Sequence, residues 1–254
     1  MLITSTKNDT VRLMRSLSAR KARRETGLHL IEGERLVFDA LQSGAEAVHL
    51  LIEDGAWELE AKAAALETPF TSVTREVMLA LSDTKTPQGV AAAVKTPPLD
   101  PPAEYPEGLA VALDRVQDPG NLGTILRTAD AMGASCLLLG EGCADAFSPK
   151  ALRAAMGSTY HLPVYDCALP RELQRLRAEG RSLICGHLAG EEKLPEIKQN
   201  CVIVIGNEGS GVSEETASLC TLFRLPMFGR AESLNASVAA ALMIYEASKR
   251  LHGI

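Results

Sequence analysis

Three segments in the second half of the chain combine polar side chains with glycine in spacings that could bind and position a ligand. The first segment is residues 118–127 (DPGNLGTILR), the second is residues 205–213 (IGNEGSGVS) and the third is residues 225–237 (LPMFGRAESLNAS). Each follows a strand-like apolar run, and α/β enzymes place their ligands at such strand ends. The order and composition of the three segments point to an enzyme that modifies nucleic acid.

The first segment has the features of an anion site. Pro119 and Gly120 turn the chain, Asn121 is expected to cap the helix that follows, and Arg127 points away from the apolar face of that helix. A guanidinium one to two turns from a helix N-terminus, where free amides also favour anions, would make a compact phosphate site. A capped surface helix with a solvated arginine is the alternative for these residues taken alone.

The second segment contains three glycines and one carboxylate. Gly206, Gly209 and Gly211 let the backbone approach a ligand closely and adopt positive φ values that other residues resist. No lysine follows the last glycine, so a phosphate-gripping P-loop is disfavoured. Glu208 suits a position opposite a hydroxyl or a cationic ligand better than a phosphate cradle. A tight turn without a ligand is the alternative.

The third segment leads into a helix predicted over residues 238–251. Ser233 or Asn235 could be the N-cap of this helix, and two cap-competent side chains flanking Leu234 exceed what one cap requires. Residues 238–244 are apolar nearly all round the predicted helix. One face should therefore meet the sheet and another a further apolar surface, which favours a homodimer.

The rest of the chain predicts two α/β domains. The prolines of residues 96–107 cannot continue a helix or a central strand, so they predict a semi-rigid linker between domains at 1–95 and 108–254. In the first domain, strand-like runs alternate with helical runs; the strand-like runs are 28–31, 48–52, 70–73 and 90–94. In the second, nearly continuous apolar runs predict a parallel sheet covered by helices. These runs are 109–113, 136–139, 183–185, 202–205 and 222–225, with a shorter one near residue 164.

Composition bounds the class of protein. The 254 residues are 46% hydrophobic, which is ample for a core, and the net charge is −6. The six cysteines form no CxxC pair and no metal-ligand cluster, so we expect buried reduced thiols and no metal. No stretch approaches the roughly 18 apolar residues of a membrane span, and the N-terminus does not resemble a signal peptide. We therefore expect a cytoplasmic protein without membrane contact.

Positive charge is concentrated near the N-terminus. Residues 7–24 hold seven basic residues against one acid, Asp9. A solvated basic helix face is one interpretation of this run, and a surface that contacts nucleic-acid phosphates is the other. The candidate phosphate-binding residues are Arg12, Arg20, Lys21, Arg23 and Arg24.

With the three segments in place, residues from about 109 to the C-terminus resemble the SpoU (TrmH-type) family of SPOUT RNA ribose 2′-O-methyltransferases. By position, Asn121 and Arg127 match the family's first motif, Glu208 lies in its second, and Ser233 and Asn235 lie in its third. Residues 29–37 (HLIEGERLV) resemble the family's substrate-binding domain, which has a fold like certain ribosomal proteins. All the polar motif positions hold the family residue.

The resemblance implies a parallel-sheet α/β catalytic domain with a deep C-terminal trefoil knot, a homodimer, and S-adenosylmethionine held in the knotted loops. General topology rules alone would predict an unknotted sheet. The cofactor loops would be residues 186–190, 206–211 and 225–235. The expected cofactor contacts, mainly backbone and apolar, are Leu188, Gly206, Glu208, Gly211, Leu225, Leu234 and Asn235. No metal is implied.

In the chemistry that the resemblance implies, a ribose 2′-oxygen attacks the methyl carbon of a sulfonium in line. The thioether leaves as the new C–O bond forms, and the hydroxyl loses its proton. We expect Arg127 to clamp the adjacent phosphate, because a guanidinium is a poor general base. Asn121, Glu208, Ser233 and Asn235 would position the hydroxyl or one another. The implied substrate is large-subunit ribosomal RNA, with transfer RNA as the alternative. Competing functions are a non-catalytic RNA-binding or ribosome-assembly factor and an enzyme that binds a nucleotide through the second segment.

Overall fold

The structure is a computed structural model that describes residues 2–82, 84–197, 199–231 and 233–253. Contacts divide the chain into two compact units. The first comprises Met1–Pro97 and Phe147–Leu152, and the second comprises Pro98–Ala146 and Arg153–Ile254. None of the helices in the described ranges has the length and apolar content needed to cross a membrane.

The first unit is built on a five-stranded sheet. Its strands are β1 (Leu2–Ile3), β2 (Leu28–Glu32), β3 (Ala47–Glu53), β4 (Thr71–Val73) and β5 (Val90–Lys95), and its helices are α1 (Asp9–Ser16), α2 (Arg20–Thr26), α3 (Glu34–Gln42), α4 (Trp57–Ala65) and α5 (Arg75–Leu81). The strand order is β1-β4-β3-β5-β2, and β5 runs antiparallel to both of its neighbours. The predicted small α/β fold is confirmed, although two-residue β1 left no periodic signal in the sequence.

Local sequence explains the helices that open the first unit. Asn8 caps α1 by accepting a hydrogen bond from the amide of Thr10, and Val11 and Met14 are buried on the inner face of the helix. Helix α2 ends at Gly27, whose φ of 66° is the left-handed conformation that glycine adopts readily. All basic side chains of these two helices except that of Arg23 are exposed.

The second unit contains a six-stranded parallel sheet, as predicted. Its strands are β6 (Leu109–Asp114), β7 (Cys136–Gly140), β8 (Val164–Cys167), β9 (Ser182–Glu191), β10 (Cys201–Gly206) and β11 (Thr221–Phe223), in the order β11-β9-β10-β6-β7-β8. The helices of this half of the chain are α6 (Pro119–Ala131), α7 (Pro149–Ala155), α8 (Leu169–Ala178), α9 (Glu214–Ala217) and α10 (Ala236–Leu251), with a short 3-10 helix at Ser158–Tyr160.

Helices cover this sheet because its central strands are apolar along both faces. Every residue of β6 and β7 is buried. Leu169, Leu173 and Leu176 of α8 share a core cluster with alternate residues of the strands. Helix α10 packs against α6, β6 and β10, and the hydroxyl of Ser248 in α10 donates to the carbonyl of Met132 at 2.7 Å.

The proline-rich segment, predicted as a semi-rigid linker, is tied to the second unit by hydrogen bonds. The amide of Asp166 donates to the carbonyl of Leu99 at 2.8 Å, and Arg181 donates to the carbonyl of Tyr105 at 3.0 Å. Tyr105 is buried, and its hydroxyl donates to Glu172 at 2.9 Å. A proline-rich segment cannot join a helix or a sheet, so its carbonyls need other hydrogen-bond donors, and here the side chain of Arg181 donates to two of them. Most of this segment is therefore part of the second unit.

All six cysteines lie in the second unit as free thiols. Four are buried, namely Cys136, Cys143, Cys185 and Cys201, whereas Cys167 and Cys220 are half-buried. Burial raises the pKa of Cys136, Cys143 and Cys201 to about 11, so these thiols stay protonated at neutral pH. The prediction of buried reduced thiols is confirmed for the four buried residues.

Candidate active site

Parallel strand direction brings the three predicted segments to one edge of the sheet in the second unit. The first segment follows β6, the second begins at the end of β10, and the third follows β11. Because β6, β10, β9 and β11 are parallel neighbours, their carboxyl ends share this edge. Asp114 at the end of β6 pairs in register with Gly206 at the end of β10.

Asp118, and not Asn121, caps the helix of the first segment. The carboxylate of Asp118 accepts a hydrogen bond from the amide of Asn121 at 2.9 Å, and Pro119 stands in the first helical turn, where an amide is dispensable. The prediction that Asn121 is the cap is therefore wrong. Because Asp118 caps the helix, the amide side chain of Asn121 is free to contact the other two segments.

A polar triplet, defined as Asn121, Glu208 and Asn235, joins one residue from each of the three segments. Nδ2 of Asn121 donates to Oε1 of Glu208 at 2.7 Å, and Nδ2 of Asn235 donates to Oδ1 of Asn121 at 3.1 Å. These residues are separated by 87 and 114 positions in the sequence. The triplet forms within a single chain.

Asn235 is both a member of the triplet and the cap of α10. Its Oδ1 accepts hydrogen bonds from the amide of Ser237 at 2.9 Å and from the amide of Val238 at 3.4 Å. It also accepts the hydroxyl of Ser237 at 2.6 Å. Of the two cap candidates in the sequence, Asn235 is thus the cap, and its side chain is fixed by the helix while its amide nitrogen contacts Asn121.

The second segment is a tight loop that carries Glu208. The backbones of Asn207 and Gly211 exchange hydrogen bonds of 3.0 and 2.9 Å, and Oδ1 of Asn207 accepts the amide of Gly209 at 2.9 Å. Gly211 has a φ of +68°, a conformation that favours glycine. At Gly206 glycine is required by a close backbone contact. A Cβ atom on Gly206 would lie 2.2 Å from the backbone carbon of Gly211, so only glycine fits this crossing.

Arg127 and Ser233 lie outside the polar triplet. Both are exposed, and neither forms a hydrogen bond or ion pair with the parts of the chain that the structure describes. Arg127 is six residues beyond Asn121 on α6, a rise of about 9 Å along the helix. The structure therefore unites three of the five predicted catalytic residues and leaves the side chains of the other two available for a ligand.

The residues predicted to contact the cofactor line the same edge of the sheet. Gly206, Gly211, Leu225 and Leu234 are partly exposed, and Leu188 at the end of β9 is 70% exposed. Partly exposed glycine backbone and leucine side chains at the ends of β9, β10 and β11 fit an adenosine moiety, which needs backbone donors and apolar packing. Among the described residues, no group of three or more His, Cys, Asp or Glu side chains could hold a metal ion.

Asp114 is a site residue that sequence reasoning missed. Its buried carboxylate accepts the amide of Ser213 at 2.7 Å and the hydroxyl of Ser213 at 2.6 Å, which ties the end of the second segment to β6. The signal in the sequence was an acid at the end of an otherwise apolar strand, LAVALD. A buried carboxylate with such partners holds the loop in place.

Two family models match the chain. The SpoU rRNA Methylase family matches residues 108–245, and the MRM3-like substrate binding domain matches residues 8–92. The first match contains all three segments and the polar triplet. The second contains α1 and α2 together with the HLIEGERLV stretch.

Relatives that span most of the chain carry concordant descriptions. A 23S rRNA (guanosine(2553)-2′-O)-methyltransferase, RlmP of Bacillus subtilis, is 39% identical over 96% of this chain and 97% of its own. A 23S rRNA (uridine(2479)-2′-O)-methyltransferase of Streptomyces viridochromogenes is 32% identical over 92% of this chain and 87% of its own. A crystal structure of an AdoMet-bound rRNA methyltransferase from Sinorhizobium meliloti superposes with a TM-score of 0.88, 34% identity and coverage of 98% and 97%.

The resemblance seen in the sequence is thereby confirmed by matches to both halves of the chain and by the fold of its solved relatives. The SpoU match covers the three polar segments and most of the parallel sheet that presents them, and the match to a substrate binding domain covers most of the first unit. The chain belongs to the SpoU rRNA Methylase family.

Proposed function

We propose that this protein transfers a methyl group from S-adenosylmethionine to a ribose 2′-hydroxyl of large-subunit ribosomal RNA. The observation that carries the proposal is the polar triplet, in which hydrogen bonds join one residue from each of the three segments. The two bacterial relatives described above, both 2′-O-methyltransferases of 23S rRNA, support the choice of substrate. An intact triplet also favours an enzyme over a non-catalytic RNA-binding factor.

The cofactor site is proposed to consist of Leu188, Gly206, Gly211, Leu225 and Leu234, with Glu208 and Asn235 at its border. When bound, S-adenosylmethionine supplies a methyl group on a positively charged sulfur, which makes that methyl intrinsically reactive. The protein must align the ribose hydroxyl with that methyl group and accept the proton that the hydroxyl loses, and alignment alone can remove a large part of the barrier.

Glu208 is proposed to orient the reacting hydroxyl. Its Oε1 is held by Asn121, while its Oε2 forms no hydrogen bond with any residue that the structure describes. That oxygen can accept a hydrogen bond from a ribose 2′-hydroxyl and take up its proton as the methyl group is transferred. Arg127 is proposed to grip the adjacent phosphate, and Ser233, two residues before Asn235, to contact the same ribose.

The test of this function is a methylation assay with deproteinised large-subunit rRNA from cells that lack the protein. We expect one new 2′-O-methyl ribose, found by mapping total RNA, and full activity of enzyme treated with EDTA. Methylation of transfer RNA instead would overturn the choice of substrate. A failure to bind S-adenosylmethionine, or strict dependence on a divalent ion that does not merely fold the RNA, would contradict the proposed chemistry.

We propose that residues 1–95 form an RNA substrate-binding domain, residues 96–107 a connecting segment and residues 108–254 the methyltransferase domain. The exposed basic side chains of α1 and α2 support the first assignment: Arg12, Arg20, Lys21 and Arg24. Two of them form only weak surface ion pairs, since Arg12 lies 3.9 Å from Asp9 and Lys21 lies 3.7 Å from Glu25. These four residues can therefore exchange water for RNA phosphates.

Arg23 leaves the set of RNA-binding candidates. It is only 7% exposed, and its Nη1 donates to the carbonyl of Leu17 at 2.7 Å and to the carbonyl of Ser18 at 2.8 Å. The guanidinium thus satisfies carbonyls at the junction between α1 and α2. The expectation that Arg23 contacts RNA is corrected to a structural role, which the sequence could not distinguish from that of its exposed neighbours.

Reversing two of the exposed charges should weaken RNA binding. We expect Arg20→Glu combined with Arg24→Glu to lower RNA affinity about tenfold or more and to flatten its salt dependence, because fewer counterions are released on binding. Arg171→Glu with Arg177→Glu is the matched control, since these arginines are also exposed and stand in the first and last turns of α8. Equal RNA affinities of the two variants in a salt titration would contradict the proposed surface.

We also propose a homodimer that uses the outer face of α10. Val238, Leu242 and Tyr245 are 47%, 44% and 49% exposed, and their spacing of four and three residues places them on one side of the helix. An apolar stripe of this kind on a helix of a small protein marks an interaction site. An isologous contact would bury the stripe of each copy against the other.

Leu242→Glu should convert this dimer into a monomer at micromolar concentration, because two buried carboxylates would face each other across the two-fold axis. Sedimentation velocity measures the change directly. Leu79→Glu is the matched control, since Leu79 is 43% exposed on α5 of the first unit. A wild-type protein that sediments as a fully active monomer would contradict the proposal.

A trefoil knot in the second unit is proposed from family membership. Its support in this chain is the close packing around residues 186–190: a Cβ on Gly186 would lie 2.9 Å from the sulfur of Met243, and one on Gly190 would lie 2.6 Å from the amide nitrogen of Phe223. At Gly190 only glycine lets the chain pass so near to the backbone of β11, whereas the Met243 side chain could move away from a Cβ atom at residue 186. The cytoplasmic location stays a prediction from the sequence, which cell fractionation would test.

A further inference from the structure

Arg115 has a backbone conformation that arginine rarely adopts. It directly follows β6, and its φ of +59° lies in the left-handed region that favours glycine. Only Glu67 and Met156 share a positive φ among the non-glycine residues that the structure describes. This conformation costs free energy for an arginine, and residues with such backbone strain cluster at functional sites.

Both ends of Arg115 are held by groups of the active-site edge. Its Nε donates to Oδ1 of buried Asp114 at 3.1 Å, while the other oxygen of that carboxylate binds Ser213. Its carbonyl accepts a hydrogen bond from Nδ2 of Asn207 at 2.9 Å. Because Asp114 and Asn207 are themselves fixed, the guanidinium is oriented before any ligand arrives.

The rest of the guanidinium is available. The side chain of Arg115 is 40% exposed, and Nη1 and Nη2 form no hydrogen bond or ion pair with the described ranges of the chain. These two groups together present four N–H donors in the planar arrangement that matches two phosphate oxygens. In a protein with a net charge of −6, a local cation of this kind is needed to attract a polyanion.

Arg115 lies next to the polar triplet. Asn207, which holds the carbonyl of Arg115, is followed in the chain by Glu208, and Glu208 binds Asn121. Resting on the function proposed above, we propose that Arg115 binds a phosphate of the RNA substrate close to the ribose that is methylated. It acts beside Arg127, and the two guanidiniums grip different phosphates of the same strand.

Replacing Arg115 with glycine tests the proposal without endangering the fold. Glycine adopts the left-handed conformation freely, so Arg115→Gly removes the guanidinium while it relieves the backbone, and we expect an unchanged or higher Tm. RNA affinity should fall about tenfold or more, and the slope of log Kd against log salt should decrease by about 0.7 to 0.9. Affinity for S-adenosylmethionine should not change. Arg115→Lys should retain most of the salt slope but lose part of the affinity.

The binding probe is deproteinised large-subunit rRNA, and binding is measured without S-adenosylmethionine. Wild-type RNA affinity and salt slope in Arg115→Gly would overturn the proposal, whatever its Tm. Weaker S-adenosylmethionine binding by Arg115→Gly, with normal RNA binding, would also overturn the proposal, because the guanidinium would then bind the carboxylate of the cofactor. Failure of the wild-type protein to methylate RNA would overturn the proposed function instead, and the RNA-binding comparison would still decide the role of Arg115.

Discussion

Arg127→Ala should lower the single-turnover rate of methylation on the order of 100-fold at saturating RNA, which corresponds to about 2.7 kcal/mol of lost transition-state positioning. Arg127 is exposed and has no hydrogen bond or ion pair in the described structure, so its removal should leave the fold intact. The loss should fall on the chemical step because the guanidinium fixes the phosphate next to the reacting ribose.

The measurement for Arg127 is a rapid-quench time course with enzyme in excess over RNA, together with separate affinities for RNA and S-adenosylmethionine. We expect both affinities to change far less than the rate. Arg127→Lys is the matched control, since it keeps the charge and loses the planar pair of donors, and its rate should lie between those of the other two proteins. A wild-type rate for Arg127→Ala at saturating RNA would remove Arg127 from the active site.

Gly206→Ala should weaken the binding of S-adenosylmethionine by on the order of 100-fold or more. A Cβ at this position would lie 2.2 Å from the carbon of Gly211 and 2.3 Å from the amide nitrogen of Val212, both of them backbone atoms that cannot turn aside. The end of β10 or the loop must therefore move, and the move displaces Glu208 and the backbone that is proposed to contact adenosine.

Gly209→Ala is the matched control for this second prediction. It adds the same methyl group three residues further along the same loop, where its nearest neighbour, Oδ1 of Asn207, is 3.5 Å away. We expect this variant to bind S-adenosylmethionine within about threefold of wild type, since nothing must shift. Calorimetric titration of both variants, with thermal unfolding to monitor folding, makes the comparison. Equal affinities would show that the crossing at Gly206 does not shape the cofactor site.

The elements of this protein follow from its sequence wherever burial dictates the pattern. Runs such as 109–113 and 202–205 are apolar on both faces, and only a strand covered on both sides suits them, so β6 and β10 were predictable to within one or two residues. The parallel direction of these strands then placed the three segments at one edge. The expectation of a knot came from the family resemblance alone, because no periodic pattern encodes a knot.

The sequence-based prediction was wrong where two nearby side chains could have the same role. Asp118 and Asn121 are both able to cap a helix, and Asp118 is the cap because Pro119 begins the helix directly after it. Arg23 and Arg24 are adjacent and identical, yet only the first turns inward to the carbonyls of Leu17 and Ser18. Such choices depend on helix phase and on the path of the next turn.

The supports of the site could not be predicted, because they link residues far apart in the chain. Asp114 binds Ser213 across 99 positions, and Asn207 binds the carbonyl of Arg115 across 92. Ser213 and Asn207 lie in the second segment, but Asp114 and Arg115 lie outside all three segments, and each interaction exists only once β6 and β10 are paired in register. The reactive residues were visible as motifs, whereas the residues that orient them became visible only in three dimensions.

Because all six thiols lie in the second unit, their alkylation can report local opening of that unit. A protonated, buried thiol does not react with iodoacetamide until the surrounding structure opens, so the labelling rate of Cys136 or Cys201 measures how often the sheet exposes them. The two half-buried thiols, Cys167 and Cys220, need less opening to become accessible, although the pKa of each is also raised, by burial at Cys167 and by a hydrogen bond with Cys185 at Cys220. Mass spectrometry of the labelled peptides would then give the order in which β7, β9 and β10, which contain Cys136, Cys185 and Cys201, separate from their neighbours, without any engineered probe.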